Sequence, residues 1–303
     1  MKKIVGYVGE FYRTTVSPGA FLLLCAFLAG AIAINFGTRF ETRYVAVGPA
    51  ILPKYVLFYF VPFALAILLQ RAFRKEGGLG GEGRLWLLAI LAALMFGMRE
   101  VDWSSVIGLG EAERHWRRVV NLLLNWIAAG VPIALYWRAT REPGEPFYGW
   151  SGKGIELRPY WLLLALMFPL VTIASFQPDF LSVYPRAESI IGANPKEGLP
   201  WPVYGLFELM YGLDFVFIEF FFRGFLVLAF AKLIGRSAIL PMAAFYVFIH
   251  FEKPMGEAIS SFFGGIVLGV VAYETRSIYG GIIVHVGIAW LMELMAYMQK
   301  AFR

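Results

Sequence analysis

Phe215-Val216-Phe217-Ile218-Glu219-Phe220-Phe221-Phe222-Arg223-Gly224 sets one carboxylate and one guanidinium among seven large apolar side chains. Glu219 and Arg223 are four residues apart, so on a helix they share a face one turn apart. The flanks Tyr211–Leu213 and Phe225–Phe230 are apolar as well. The stretch reads as a membrane-embedded helix with a charge pair in its interior. A charge at bilayer depth costs about 2.5–3.5 kcal/mol on insertion scales and persists where it is paired and faces other helices or a water-filled cavity. Two roles stay open at this point: locking of helix packing, and chemistry.

Composition extends the reading to the whole chain. Of 303 residues, 59% are hydrophobic and only 16% charged, against about 25% charged in soluble domains. The expected fold is an all-α, polytopic transmembrane helix bundle of eight or nine spans. The apolar runs fall at 18–36, 55–73, 85–98 (a short one), 119–137, 160–176, 204–234, 237–251, 257–273 and 278–298. The polar piece Arg99–Arg118 reads as an interfacial helix on which His115 is solvated. No repeat divides the chain. Residues 1–200 supply helices and loops with few charges inside the apolar runs, and 201–303 hold nearly all of the buried ones, within one integrated membrane domain.

A net charge of +6, spread over loops, suits contact with membrane lipids, and the lack of a dense basic run speaks against nucleic acid as a partner. One cysteine, Cys25, excludes an intramolecular disulfide and any multi-cysteine metal site. Lys and Arg divide almost evenly between alternate loops, so the positive-inside rule does not orient the bundle. Charged Glu10 and Arg13 ahead of the first long apolar run make a cleavable signal peptide the poorer reading of the N-terminus.

Two of the three histidines lie in apolar runs. His250 ends Ala243-Ala244-Phe245-Tyr246-Val247-Phe248-Ile249-His250, and His285 sits among small residues in Gly280-Gly281-Ile282-Ile283-Val284-His285-Val286-Gly287. Small residues let helices approach closely. A buried imidazole needs a partner for each nitrogen, or else moves protons or binds a metal. One carboxylate, one guanidinium and two imidazoles on three apolar helices form a set suited to water activation at an intramembrane site.

These residues, in this order, resemble the CAAX protease and bacteriocin-processing family of intramembrane endopeptidases, whose eukaryotic members cleave prenylated proteins. The resemblance covers about residues 200–300 and rests on Ile218 to Gly224, Phe245 to His250, Phe262 to Gly269, and Glu274 to Gly280 leading into His285. The family's first motif is a pair of glutamates, three residues and an arginine; Glu219 and Arg223 match it, but Ile218 replaces the first glutamate. Tyr246 and His250 match the second, with tyrosine where phenylalanine is usual. His285 matches the third, but Ala289 replaces the usual asparagine.

The resemblance implies a peptide-bond hydrolase of the cytoplasmic membrane, of bacterial type, acting on a membrane-associated peptide or protein. Glu219, Arg223, His250 and His285 are the implied catalytic residues. Asp214, one turn before Ile218, and Glu257, in the first turn after the His250 connector, are auxiliary candidates for the missing carboxylate; Glu293, two turns beyond His285, is a further one. Two mechanisms fit: direct activation of water by glutamate and histidine, or a divalent metal such as zinc on Glu219, His250 and His285. Ile218 and Ala289 leave a catalytically silent membrane partner or accessory protein as the alternative, with a transporter third.

Overall fold

The computed structural model describes residues 2–48, 50–73, 82–103, 114–152, 155–191 and 201–302. They form an all-α protein with no strand among the described residues. In chain order the helices are α1 (Lys2–Thr14), α2 (Pro18–Thr38), α3 (Ile51–Ala72), α4 (Glu82–Gly97), α5 (Arg114–Thr140), α6 (Arg158–Ala174), α7 (Pro178–Val183), α8 (Arg186–Ile191), α9 (Trp201–Glu219), α10 (Phe230–Ile234), α11 (Ile239–Phe248), α12 (Met255–Thr275) and α13 (Tyr279–Ala301). Between α9 and α10 the chain stays helical but widens into π-type turns over Phe220–Ala229.

Among the described residues five helices are long and apolar enough to cross a membrane: Pro18–Thr38, Ile51–Ala72, Val120–Thr140, Met255–Thr275 and Tyr279–Ala301. A sixth crossing is reached if α6 and the bent segment after it, Pro178–Glu188, act as one span, although the chain turns by 94° between them. The protein is an integral membrane protein, with five or six such elements among the described residues where the apolar runs suggested eight or nine. Two of those runs fall short for a simple reason. The ten residues of α11 reach only about 15 Å and the sixteen of α4 about 24 Å at about 1.5 Å per residue, against a hydrocarbon core of about 30 Å.

Their apolarity has a different origin. Every residue of α11 is buried, and so is every residue from Phe217 to Phe230. These segments form the inner core, wrapped by α3, α4, α12 and neighbouring helices. Aromatic rings fill it: Tyr59 stacks on Phe245 with centroids 4.8 Å apart, and Phe96 meets Phe221 at 5.0 Å, distances at which ring pairs add to simple area burial. Exposed apolar side chains sit elsewhere, among them Leu22, Leu57, Leu135, Trp161, Leu170 and Trp290 on the outer helices. Of the expected interfacial helix, residues 104–113 lie outside the described residues, and His115 falls in the first turn of α5.

Candidate active site

The charge pair sits where α9 passes into the π-type turns. Glu219 and Arg223 are both wholly buried, and Arg223 Nη1 lies 3.0 Å from Glu219 Oε1. The guanidinium also covers the Tyr246 ring, 4.4 Å from its centre, a favourable cation–π arrangement in a desolvated place. Gly281 on α13 is what lets the carboxylate fit. A Cβ there would collide with Glu219 Oε2, so only a glycine leaves the room.

His285 stands one turn further along α13. Its Nδ1 is 2.8 Å from Glu219 Oε1, and its Nε2 is 2.9 Å from the Tyr246 hydroxyl. Because a carboxylate only accepts, Nδ1–H donates to Glu219; in the tautomer with its proton on Nδ1 alone, the ring then offers the Nε2 lone pair to the Tyr246 O–H. His250, just after α11, places Nδ1 2.7 Å from the Tyr246 backbone carbonyl. That carbonyl likewise only accepts, which fixes the proton on Nδ1 and leaves Nε2 as an acceptor. Tyr246 thus touches both histidines, one through its hydroxyl and one through its backbone.

Next to this group opens a cavity of about 260 Å³. Tyr246, His250 and His285 line it, together with Ile218, Asp214 and Glu257; Glu219 and Arg223 do not. His250 Nε2 and Glu257 Oε1 are 3.9 Å apart across it. Glu257 is held from behind by the Tyr184 hydroxyl, 2.9 Å from Oε2. Asp214 is engaged by Arg99 through two bonds of 2.6 Å, the bidentate geometry that guanidinium favours. Ile218 faces the cavity as a bare hydrocarbon wall.

The remaining candidates are placed away from the cavity. Ala289 is buried among Ala187, Phe207 and Tyr211. Glu293 accepts from the backbone N–H groups of Arg186 and Ala187 and so caps the start of α8. The proposed metal set does not fit. Glu219 Oε1 is shared by Arg223 and His285, both ring nitrogens of His285 are engaged, and His250 offers only Nε2, so no three lone pairs converge; among the described residues no group of three His, Cys, Asp or Glu side chains is placed to hold an ion. Sequence reasoning gave no role to the Tyr246 hydroxyl, Arg99 or Tyr184. The tyrosine at a position where phenylalanine is usual was the one signal available for the first.

Residues 200–291 match the family model described as type II CAAX prenyl endopeptidase Rce1-like. The matched segment is the stretch on which the sequence resemblance rests, and it contains Glu219, Arg223, Tyr246, His250, Glu257 and His285. No curated protein and no solved structure matches the chain.

Proposed function

We propose that this protein is a membrane-embedded endopeptidase of the CAAX protease type that hydrolyses a peptide bond in a membrane-associated substrate. The observation that carries the reading is a part-buried Glu219–His285 hydrogen bond set beside a polar cavity that His250 and Glu257 also line, all within the family-matched segment. Water activation needs a base with a lone pair held in place and a route by which the base can keep the proton. Glu219 supplies the second, because its carboxylate stabilises the imidazolium that forms when His285 takes a proton. Arg223, with Nη1 3.0 Å from Oε1, is the positioning residue that keeps Glu219 aimed at Nδ1.

His250 and Glu257 flank the water. A water that donates one proton to Oε1 of Glu257, 3.9 Å from Nε2 of His250, keeps its second proton for the His285 side of the cavity. Glu257 in this role stands in for the glutamate that Ile218 replaces. The test is cleavage of a panel of membrane-anchored peptides by the purified full chain in liposomes. Glu257→Gln keeps shape and loses the basic oxygen, and turnover is expected to fall about 10²–10⁴-fold. A parent with no turnover on any peptide would overturn the reading in favour of a silent relative.

A further inference from the structure

The base proposed above has a gap in its geometry. Both nitrogens of His285 are occupied: Nδ1 by Glu219 at 2.8 Å and Nε2 by the Tyr246 hydroxyl at 2.9 Å. Glu219 is wholly buried and has no surface on the cavity. A proton leaving a cavity water for His285 therefore meets the Tyr246 oxygen first. We infer that Tyr246 is itself a catalytic residue, the outermost member of a Glu219–His285–Tyr246 relay that carries a proton between the cavity and His285. The inference rests on the hydrolase reading and adds the group through which the proton passes.

The arrangement suits the task from both ends. In the resting state the Tyr246 O–H donates to Nε2 while the Arg223 guanidinium donates to its oxygen, so one lone pair of that oxygen is left for a further donor. The ring cannot drift, since it lies under Arg223 at 4.4 Å and against the His250 ring at 4.6 Å. In the first step the water oxygen forms a bond to the scissile carbonyl carbon as the C=O π bond opens and its electron pair moves to the carbonyl oxygen. One water proton passes to the Tyr246 oxygen as the tyrosine proton passes to Nε2, giving an imidazolium paired with Glu219. In the second step the oxyanion's electron pair re-forms the C=O bond, the C–N bond breaks, and the same path runs in reverse, delivering that proton to the leaving amine. Nothing is oxidised or reduced, tyrosine and histidine end as they began, and the new carboxylic acid gives its proton to solvent. One group acts first as base and then as acid, as microscopic reversibility favours.

The competing role for the same hydroxyl is a plug that merely occupies Nε2, and the two predict opposite results. Tyr246→Phe keeps the ring and its contacts with Arg223 and His250 and removes only the hydroxyl. With the relay, kcat falls about 10²–10⁴-fold while KM stays within about twofold, the pattern of an interaction made only in the transition state. A fluorinated tyrosine introduced at the same position keeps the hydroxyl and makes it more acidic; the relay predicts that the pH–rate profile then moves to lower pH. This second variant also serves if Tyr246→Phe fails to fold. A Tyr246→Phe enzyme as fast as the parent or faster, or a profile that the fluorinated tyrosine leaves in place, overturns the relay while the hydrolase reading stands on the parent's turnover and its loss in Glu257→Gln. A parent without turnover overturns both.

Discussion

Gly281→Ala tests the site without touching any residue that does chemistry. Gly281 lies inside α13, so the exchange removes the entropic handicap of glycine and by itself stabilises the helix by about 1 kcal/mol. Against this, the new methyl collides with Glu219 Oε2. The carboxylate belongs to a wholly buried side chain, so it yields only by turning away from His285 and Arg223. Overpacking of this kind costs about 1–3 kcal/mol, and losing a hydrogen bond to a charged group a further 1.5–3 or so. The balance is a net loss of about 1.5–5 kcal/mol, with turnover falling because Nδ1 of His285 has lost its acceptor. Gly264→Ala is the matched control. It lies inside α12 with open space where its methyl would go, and only the helix gain of about 1 kcal/mol applies. Unfolding in detergent followed by circular dichroism, with turnover on the same samples, gives the two readouts. If Gly281→Ala is as stable and as active as Gly264→Ala, the carboxylate is not clamped between Gly281, His285 and Arg223, and the geometry on which the site is built is wrong.

Arg223→Leu leaves Glu219 as an uncompensated buried charge and is expected to cost about 3–5 kcal/mol, read as early unfolding in detergent; a variant as stable as the parent refutes the pairing. Ile218→Glu adds a carboxylate to the cavity wall at the position where the family has one, and turnover on the peptide panel is expected to rise; no change would mean that Glu257 already meets the need in full. Chelation should leave turnover intact, because both ring nitrogens of His285 are engaged and no three His, Cys, Asp or Glu side chains among the described residues are placed to hold an ion; loss on chelation with rescue by zinc would overturn the direct mechanism. Glu41, in the turn after α2, has its carboxyl pushed up to about 9 from 4.5 by burial and by the neighbouring charges of Glu252 and Glu100. The folded state therefore binds this proton more tightly than the unfolded chain, its contribution is fully present below about pH 4.5, and stability falls as pH rises towards about 9, by at most 1.4 kcal/mol or so per pH unit. Glu41→Gln should flatten that slope in pH-dependent unfolding, and an unchanged slope would show that Glu41 is ionised.

Much of this was legible in the chain because it depends on local spacing. The four-residue step between Glu219 and Arg223 foretells an ion pair on one helical face, and the small residues around His285 foretell a tight helix contact, here with Glu219. What was not legible depends on partners far apart in sequence. Tyr246 meets His285 across 39 residues, and Asp214 meets Arg99 across 115; no periodicity encodes either. The number of spans is borne out only in part, five or six candidates among the described residues against the eight or nine expected, for a related reason. A run such as Ala243 to Ile249 is as apolar in a core wrapped by protein as it is in lipid, and hydropathy does not separate the two. Only length does, and α11 is too short.

The site's charges lie at two depths, and the departures from the family pattern fall unevenly between them. Glu219 and Arg223 form an inner layer with no surface on the cavity, while Asp214, Glu257 and His250 form an outer layer that faces it. Removing one member of the inner pair strands a charge where no water can reach it, at a cost of about 3–5 kcal/mol, so fold stability alone protects that pair. Position 218 belongs to the outer layer. A side chain there is free to exchange carboxylate for hydrocarbon without stranding a partner, since Asp214, its nearest acidic neighbour along the helix, is already neutralised by Arg99. The inner pair is therefore weak evidence of catalysis by itself, because packing would preserve it in a silent protein too. The outer layer is the more telling part. Glu257 is braced by Tyr184, His250 is fixed in one tautomer by a carbonyl, and the Tyr246 hydroxyl is aimed at His285; each of these bonds holds a polar residue that lines the cavity.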